Sequence, residues 1–434
     1  MIAACEQRPA AASIDAALAA LRGAVGRPGV LLRIEVPLSD SPAPLSWIQQ
    51  QPAGARLYWS DRDGAFSVAG LGFADQRPLP EALNTLPRGG GIRWFGGLAF
   101  NPSRPPSPEW APFGPGQLLL PRLTLEQRGG ASCVALHLLP GESDVLPDVR
   151  HEHAARTPLV SDGQTFEPGP DGWNGGVRAV VSAIRDGSMR KVVLSRRARV
   201  SLVSPPDPFA LLARLAAPQV STFDFCFEVA AGWAFLGCTP ERLFARSDRA
   251  LHTEALAGTR RRGETEAADR ALGGELLESP KEREEHHHVV ASIAEVLSPL
   301  CADLDVAPAP QVHPLYRVQH LLTPISGTLH ADVGEAALLG ALHPTPAVCG
   351  QPAPAAHAFI QAHEPFHRGW YAGPVGWVSD DSADFAVGIR SALLRGRSLW
   401  VCAGAGLVAA SQPEAEWQEL DAKSGQFLSM VEGA

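Results

Sequence analysis

Carboxylates in two segments of the chain could together hold a divalent cation. Glu285 lies in KEREEHHHVV, whereas Glu416 and Glu419 lie in EAEWQEL, where a spacing of three places both on one face of a helix. Carboxylates and water are the ligands that Mg²⁺ prefers, and substrate oxygens often complete its shell. The commoner alternative is that such glutamates are solvated surface charges.

One lysine and one glutamate could supply acid–base chemistry. Lys191 opens the apolar segment KVVLS, and to act as a base it would have to point inward and be neutral at working pH. Glu241 follows a TP turn after GWAFLGC, and an apolar pocket there would hold it protonated as a general acid. The alternatives are a solvated lysine at a strand end and a turn glutamate paired with Arg242.

Two groups of small residues could let backbone N–H groups approach an anion. Gly258 and Thr259 follow TEALA, and Gly404 and Gly406 lie in CAGAG after a strand-like segment. Both groups are expected in short turns, which are also the ordinary reason for such glycines. The AGAG run does not match the dinucleotide-binding fingerprint.

Two cationic side chains could bind a substrate carboxylate. Arg390 is expected in the middle of a strand, in VGIRSA, where a buried guanidinium needs an anionic partner. Lys423 follows Glu416 by seven residues and therefore falls on nearly the same helical face. The triplet His286–His288 is discounted as a zinc site, because consecutive helical residues point in different directions.

The elements that must position these residues follow from the apolar pattern of the first half of the chain. A helix is predicted over 12–25, and short alternating segments over 30–140 indicate a largely antiparallel sheet. Residues 102–116 are rich in proline and are expected to form a surface loop. Residues 157–173 are expected to be a connection, and the catalytic portion should begin near its end, with a division into 1–165 and 166–434. The alternative is that this connection lies inside one continuous sheet sandwich, so that both parts form one structural unit.

The second half mixes helices and strands. A helix is predicted over 175–186 with Gly187 as its C-cap, and a longer one over 265–298 with an interruption near Pro280. KVVLSRRARVSL, ADFAVGIRSALL and SLWVCAGAG are predicted strands, FDFCFEVA and GWAFLGC a hairpin, and 413–431 the last helix. Because the βαβ rhythm is absent, the prediction is an α+β fold.

Composition narrows the class of protein. The 434 residues carry a net charge of -9, which argues against nucleic acid and anionic membranes as partners. Seven scattered cysteines without C-x-x-C spacing argue against a disulfide framework or zinc site. No secretory signal or membrane-length apolar run is visible. We expect a soluble cytoplasmic protein, and a monomer because nothing resembles a dimerisation seam.

Taken together, several segments resemble the chorismate-utilising enzyme family over roughly residues 170–430. They are LGCTPERLF, TEALAGT, KEREEHHHVV, QHLLTPISGTL, LHPTPAVCG, HEPFHRGWYAGPVGW, FAVGIRSALL, CAGAGLV and EAEWQELDAK. The resemblance implies a layered α/β/β/α sandwich of two largely antiparallel sheets, with the active site between sheets and helices. The front of the chain, near PAPLSWIQQQPAGARLYWSDRDGAF, is similar to isochorismate synthases of the menaquinone and siderophore types.

The resemblance also implies a role for each candidate residue. Lys191 would activate water and Glu241 would protonate the departing C4 hydroxyl of chorismate. Glu285 and Glu416 would bind Mg²⁺, with Glu419 nearby. The positions matching those that hold substrate are Gly258, Thr259, Tyr371, Arg390, Gly404, Gly406 and Lys423.

Three positions separate the activities within this family. Lys191 together with Ala257 indicates water rather than ammonia as the nucleophile, so no glutaminase subunit is expected. Ala347 in HPTPAVCG, where salicylate synthases tend to have threonine, indicates a reaction that stops at isochorismate. The alternatives are a salicylate-forming or ammonia-using relative, and a non-catalytic protein that binds chorismate or scaffolds a pathway partner.

Overall fold

The computed structural model describes residues 2–87, 89–150, 158–218 and 221–431. Its strands are β1 Ile2–Gln7, β2 Val30–Leu38, β3 Arg56–Ser60, β4 Phe66–Pro78, β5 Trp94–Leu98, β6 Gly116–Arg128, β7 Ala131–Leu138, β8 Ser161–Glu167, β9 Lys191–Leu202, β10 Phe223–Ala230, β11 Trp233–Thr239, β12 Arg242–Ser247, β13 Ala250–Arg261, β14 Cys301–Val306, β15 Gln311–Pro314, β16 Val318–Leu329, β17 Gly350–Gln351, β18 Pro374–Val378, β19 Ser382–Val387, β20 Ser391–Arg395 and β21 Ser398–Leu407. Its helices are α1 Ile14–Leu21, α2 Pro44–Ile48, α3 Pro170–Arg185, α4 Pro208–Ala216, α5 Glu266–Glu278, α6 Pro280–Leu297, α7 Glu335–Leu342, α8 Ala353–His363 and α9 Pro413–Leu428.

The strands form two sheets that share the long strand β6. One sheet runs β6–β4–β3–β10–β11–β20–β21–β9, and the other runs β6–β5–β18–β19–β12–β13–β16. Among the described strands, only β1 and β2 pair in parallel. The α+β sandwich of largely antiparallel sheets predicted from the sequence is therefore confirmed.

An aromatic core fills the space between the two sheets. Phe223, Phe225 and Phe227 alternate along β10 and point into this core, where they meet Trp370 and Trp377 from the opposite side. Cys226, between them in sequence, points to the outer face. This period of two is the physical signature of a strand with both faces covered.

Helices cover the outer faces and complete the α/β/β/α layering. The helices α1, α2 and α4 share one outer apolar cluster with the first sheet. A second outer cluster contains α3 and α8, which contact β9, together with α6, which contacts β13, and α7, which contacts α6. Ser13 caps α1 with its side chain, and Asp207 accepts two N–H groups at the start of α4. Burial of these faces, more than local propensity, fixes the helices.

Several element bounds differ from the prediction. α1 is shorter than 12–25, and α9 ends at Leu428 rather than 431. Gly187 has a φ of 78° after α3, as predicted, but α3 begins at Pro170 because proline is well suited to a first helical turn. The interruption predicted near Pro280 in the long helix over 265–298 is confirmed, because Ser279 ends α5 and caps α6.

Two predicted irregular segments contain more structure than expected. The stretch 157–173 includes strand β8, which pairs with β9, and its first residue lies outside the described part of the chain. The proline-rich loop 102–116 is only partly at the surface, because Trp110 and Phe113 are buried in the aromatic core. Proline stops regular structure, yet it does not prevent neighbouring aromatic residues from packing.

Strand pairing crosses the predicted division at residue 165, since β3 pairs with β10 and β5 with β18. The division itself stays a prediction.

All seven cysteines are free thiols, and five of them are buried. Within the described ranges, no helix is both long enough and apolar enough to cross a membrane.

Candidate active site

One cavity of about 690 Å³ brings together every residue that the sequence singled out. Its walls are β9 and β21, the turns between β11 and β12 and between β19 and β20, the middle of β13, and helices α6 and α9. The predicted residues in its lining are Lys191, Glu241, Gly258, Thr259, Glu285, Ala347, Tyr371, Arg390, Gly404, Gly406, Glu416, Glu419 and Lys423. Residues more than 230 positions apart thus meet in one space.

Lys191 begins β9 and points inward, with 15% of its side chain exposed. Its Nζ donates to Oε1 of Glu285 on α6 over 2.9 Å. Burial by itself would raise the pKa of Glu285, but the ammonium of Lys191 outweighs it, so that this pKa lies below its usual value. This contact occupies the nitrogen that a base role would use, so that role requires the carboxylate of Glu285 to bind elsewhere.

Glu241 lies in the turn between β11 and β12, as predicted, and it is buried. Two hydrogen bonds to Val387 hold the turn. The Thr239 hydroxyl donates to the carbonyl of Val387 over 2.7 Å, and the Val387 N–H donates to the carbonyl of Glu241 over 2.9 Å. The Thr345 hydroxyl lies 3.5 Å from Oε1 of the carboxyl group. Arg242 pairs with Asp384 instead of Glu241.

The environment of Glu241 favours its protonated form. Burial, and then the negative charge of Glu254, raise the pKa of Glu241 to about 7, against the opposing effects of Thr345, Lys191 and Lys423. Removing a carboxylate from water costs free energy unless strong partners compensate. A carboxyl group that still carries its proton near neutral pH can act as a general acid.

Gly258 forms a bulge in β13, where the pairing with β16 shifts by one residue. Its φ of 75° is the left-handed conformation that glycine adopts without strain. The bulge turns the Thr259 N–H towards the cavity, where it donates to Oε2 of Glu282 over 3.2 Å. His320 Nδ1 contacts the carbonyl of Gly258 at 3.0 Å, so this nitrogen carries the hydrogen.

Gly404 and Gly406 lie inside β21, which confirms the predicted strand SLWVCAGAG and shows that the short turn expected at these glycines was wrong. They pair with Ser195 and Val193 of β9. The N–H groups of those partners donate elsewhere, to Glu364 and to the carbonyl of Cys349. Because an antiparallel ladder alternates, the amides of Gly404 and Gly406 face away from β9, and Gly404 O accepts from Lys423 over 2.8 Å.

The missing side chains of these glycines make room for two functional side chains. A Cβ at Gly406 would lie 2.8 Å from Cε of Lys191, and a Cβ at Gly404 would lie 3.1 Å from the hydroxyl of Tyr371. Tyr371 is buried, and burial raises the pKa of its phenol. A side chain at either position would force Lys191 or Tyr371 to shift, so glycine suits both positions because of close approach.

Arg390 lies between β19 and β20, not within one continuous strand as predicted. Its φ is 49°, which is uncommon for a residue other than glycine. Burial lowers the pKa of Arg390, and its guanidinium makes no hydrogen bond or ion pair with any described residue. A cation without a protein partner in a cavity is suited to an anionic ligand.

Glu416, Glu419 and Lys423 project from α9 into the cavity. Lys423 Nζ donates to Oε1 of Glu419 over 2.6 Å. Burial raises the pKa of Glu416, and the charge of Glu419 adds to this effect. A nearby cation would stabilise the ionised form of Glu416.

The carboxylates fit Mg²⁺ only if the substrate contributes ligands. No three His, Cys, Asp or Glu side chains of the described chain converge as a complete metal site. Mg²⁺ is commonly held by one or two protein carboxylates, water and substrate, and Glu285 and Glu416 in one cavity meet that requirement. His286 is buried against the Thr323 hydroxyl at 2.7 Å and belongs to the packing of α6.

A buried ion pair supports the floor of the cavity. Arg368 makes two hydrogen bonds to Glu364 and donates to the carbonyls of Val348 and Val193, each over 2.8 Å. Glu364 in turn accepts from the N–H of Ser195 over 2.7 Å. The pair therefore ties β9 to the segment that carries Ala347.

Sequence reasoning missed several residues that surround the site. Thr345, Glu254 and Glu282 lie within the quoted motifs, yet none has a spacing that marks it as functional. Arg62 lies in the first third of the chain and reaches Glu254 through the fold. Contacts of this kind depend on long-range packing, which a local pattern does not contain.

Comparison with protein families gives one match, to the family described as chorismate binding enzyme, over residues 81–432. Among curated proteins, the chain is 34% identical to the isochorismate synthase MenF of Escherichia coli strain K12, over 93% of this chain and 94% of that protein. It is also 34% identical to a chloroplastic isochorismate synthase of Catharanthus roseus, over 78% of this chain and 62% of the longer plant protein.

A solved structure shows the same architecture. The structure of MenF, described as the menaquinone-specific isochorismate synthase from Escherichia coli, has a TM-score of 0.84 at 30% sequence identity. The comparison covers 96% of this chain and 99% of that one. The likeness extends across both sheets and is not restricted to the motifs around the cavity.

Proposed function

We propose that this chain, which belongs to the chorismate binding enzyme family, converts chorismate to isochorismate. Its similarity to isochorismate synthases over most of its length supports this activity. The observation that carries the proposal is the meeting of Lys191 and Glu241 in one cavity that also holds a group of carboxylates and Arg390, which pairs with none of the described residues.

Two cationic side chains orient the substrate. Arg390, which has no described protein partner, binds a carboxylate of chorismate together with the outward-facing amides of Gly404 and Gly406. Lys423 lies beside them on the carbonyl of Gly404. Arg390 and Lys423 thus bring two cationic side chains to the cavity lining, in a chain whose net charge is -9.

Lys191 and Glu241 then move protons at the two reacting carbons. Lys191 takes a proton from water as the water attacks C2, the double bonds shift, and the C4 hydroxyl leaves with the proton of Glu241. One C–O bond forms and one breaks, so that the product is an isomer of the substrate. The environment that keeps Glu241 protonated is the physical basis of this assignment.

Glu285 and Glu416 are the residues that would hold Mg²⁺, with Glu419 nearby. When bound, the ion would neutralise and orient a carboxylate of the substrate, and it would compete with Lys191 for Glu285. The Lys191–Glu285 contact of 2.9 Å is the one that the ion would disturb, because the carboxylate of Glu285 would have to serve both partners.

Ala347 supports isochorismate as the final product. It lines the cavity close in sequence to Thr345, whose hydroxyl contacts Glu241. Salicylate formation is the second candidate within the family, and it would require elimination of pyruvate after the isomerisation. An alanine offers no hydroxyl group for that second step.

Chromatographic analysis of the products from purified protein and chorismate tests the proposal, with Mg²⁺ present or removed by a chelator. We expect isochorismate in the presence of Mg²⁺, approaching a mixture with chorismate, and neither salicylate nor pyruvate. Salicylate with pyruvate would move the chain to the sister activity. Unchanged chorismate with either water or ammonia present would contradict an enzymatic role.

A further inference from the structure

The turn that carries Glu241 is contacted on both sides by an ion pair that the sequence analysis did not predict. Arg62, in the turn between β3 and β4, donates to both carboxylate oxygens of Glu254 on β13, with the Nη2 to Oε2 bond measuring 2.8 Å. The same guanidinium donates through Nη1 to the carbonyl of Pro240 over 3.2 Å. Arg62 thus contacts the residue that directly precedes Glu241.

Glu254 contacts the other end of the turn. Its Oε1 accepts the N–H of Arg242 over 3.4 Å, so that the pair touches the residues on both sides of Glu241. The side chains of Arg62 and Glu254 are only 12% and 6% exposed. A bidentate arginine–carboxylate contact at this depth has a defined geometry and is weakly screened by solvent.

We propose that Arg62 and Glu254 are positioning residues that clamp the turn of the general acid, so that the first third of the chain fixes where Glu241 presents its proton. This inference rests on the role of Glu241 in the proposed function. Neither Arg62 nor Glu254 lines the cavity, whereas Pro240 and Glu241 of the turn do. Arg62 and Glu254 therefore act on the substrate through Glu241.

The charges of the clamp also bear on the proton of Glu241. The charged groups that face this carboxyl are Glu254 on β13, Lys191 on β9 and Lys423 on α9. Glu254 raises the pKa of Glu241, whereas the two lysines lower it. Arg62 neutralises part of the charge of Glu254, and the flanking Arg242 is directed to Asp384.

Two substitutions should therefore shift the protonation of Glu241 in opposite directions. Glu254→Gln removes a negative charge and leaves Arg62 unpaired, which lowers the pKa of Glu241. Arg62→Gln leaves Glu254 without its counter-charge, which raises it. A shift of about one pH unit is expected in each case. Arg62→Gln should also lower kcat by roughly 10- to 100-fold, because Pro240 loses its contact.

The test uses the full chain and two readouts. The first is the pH dependence of kcat/KM for chorismate, in which loss of the Glu241 proton sets the alkaline limb. The second is infrared difference titration of the Glu241 carboxyl group, identified by its absence in Glu241→Gln, which needs no turnover. Glu126→Gln is the matched control, since Glu126 is a buried carboxylate paired with Arg33 at 2.8 Å and lies outside the cavity lining.

The clamp predicts a lower midpoint for Glu254→Gln, a higher one for Arg62→Gln and no shift for Glu126→Gln. Midpoints that stay in place, or that move in the same direction in both variants, would overturn the clamp, even if all proteins form isochorismate. If one variant does not fold, the sign of the shift in the other decides. A wild-type protein that forms no isochorismate would refute the proposed function, while the infrared midpoints would still decide the clamp.

Discussion

At the scale of single residues, the chemistry depends on what each side chain contacts. Lys191 and Glu241 have ordinary residue types for proton transfer, and both were predicted from their place in the sequence. An apolar pocket around Glu241 was part of that prediction, but the charged neighbours were not: Glu285 contacts the lysine, and Glu254 adds to the effect of burial on the glutamate. Those neighbours come from distant strands and helices, so that only the folded chain reveals them.

Loss of either proton-transfer group should reduce activity strongly. We expect Lys191→Ala and Glu241→Gln each to lower the rate of isochorismate formation by roughly 10²- to 10⁴-fold, the usual contribution of general acid–base catalysis. Steady-state assays with chorismate measure this. Near-normal turnover by Lys191→Ala would exclude it as the base.

Gly406 gives a prediction about space rather than charge. In Gly406→Ala the new methyl group would lie 2.8 Å from Cε of Lys191, and the flexible lysine would have to move. We expect about a 100-fold loss of kcat with little change in the midpoint of thermal unfolding. A variant with wild-type kcat would show that the position of Lys191 is not critical.

Gly274→Ala in α5 is the control for that substitution. Nothing lies within 4 Å of the added methyl group at this helical position. Alanine is favoured over glycine inside a helix by about 1 kcal/mol, so that this variant should keep full activity and gain slightly in stability.

At the scale of elements, the order of helices and strands was largely predictable, and the exceptions have clear causes. The hairpin of β10 and β11 and the break before Pro280 follow from local pattern. β8 was missed because SDGQTFE has little apolar content and gains its strand form by pairing with β9. The AGAG segment allowed two predictions, a strand end and a turn, because glycine serves both left-handed turns and close approach, and the structure places it in β21.

The buried pair Glu364–Arg368 should make a large contribution to the order of β9. Glu364→Gln leaves Arg368 buried without a counter-charge. Because an uncompensated buried charge is costly, this substitution should lower the free energy of unfolding by about 3 kcal/mol. Urea unfolding measures the loss. Glu266→Gln, in the exposed pair with Arg270, is the control and should cost less than about 1 kcal/mol.

At the scale of the whole molecule, the sandwich brings residues from motifs that are far apart in the sequence to one cavity. The first third of the chain supplies β3 and β5, which pair with β10 and β18 of the remainder. Family resemblance predicted this fold correctly. It did not predict that Arg62 reaches the turn of Glu241, because that contact joins the first third of the chain to the rest.

The pH dependence of stability gives a test at this scale. The pKa of Glu241 is raised from 4.5 to about 7 in the folded state, so folding binds an extra proton between these pH values. Its contribution is complete below pH 4.5 and is lost as pH rises through 7. Wild type should therefore lose roughly 3 kcal/mol that Glu241→Gln retains, and the stability difference in urea should grow between pH 5 and pH 8. A constant difference would contradict the burial of this proton.

The measurement that tests the central claim most directly is the origin of the product oxygen. Purified protein is incubated with chorismate in H₂¹⁸O, and the isochorismate is analysed by mass spectrometry. Attack of water at C2 with departure of the C4 hydroxyl predicts one ¹⁸O atom in the product, at the C2 hydroxyl. Isochorismate without the label would mean that the hydroxyl migrates within the substrate, and it would contradict the roles assigned to Lys191 and Glu241.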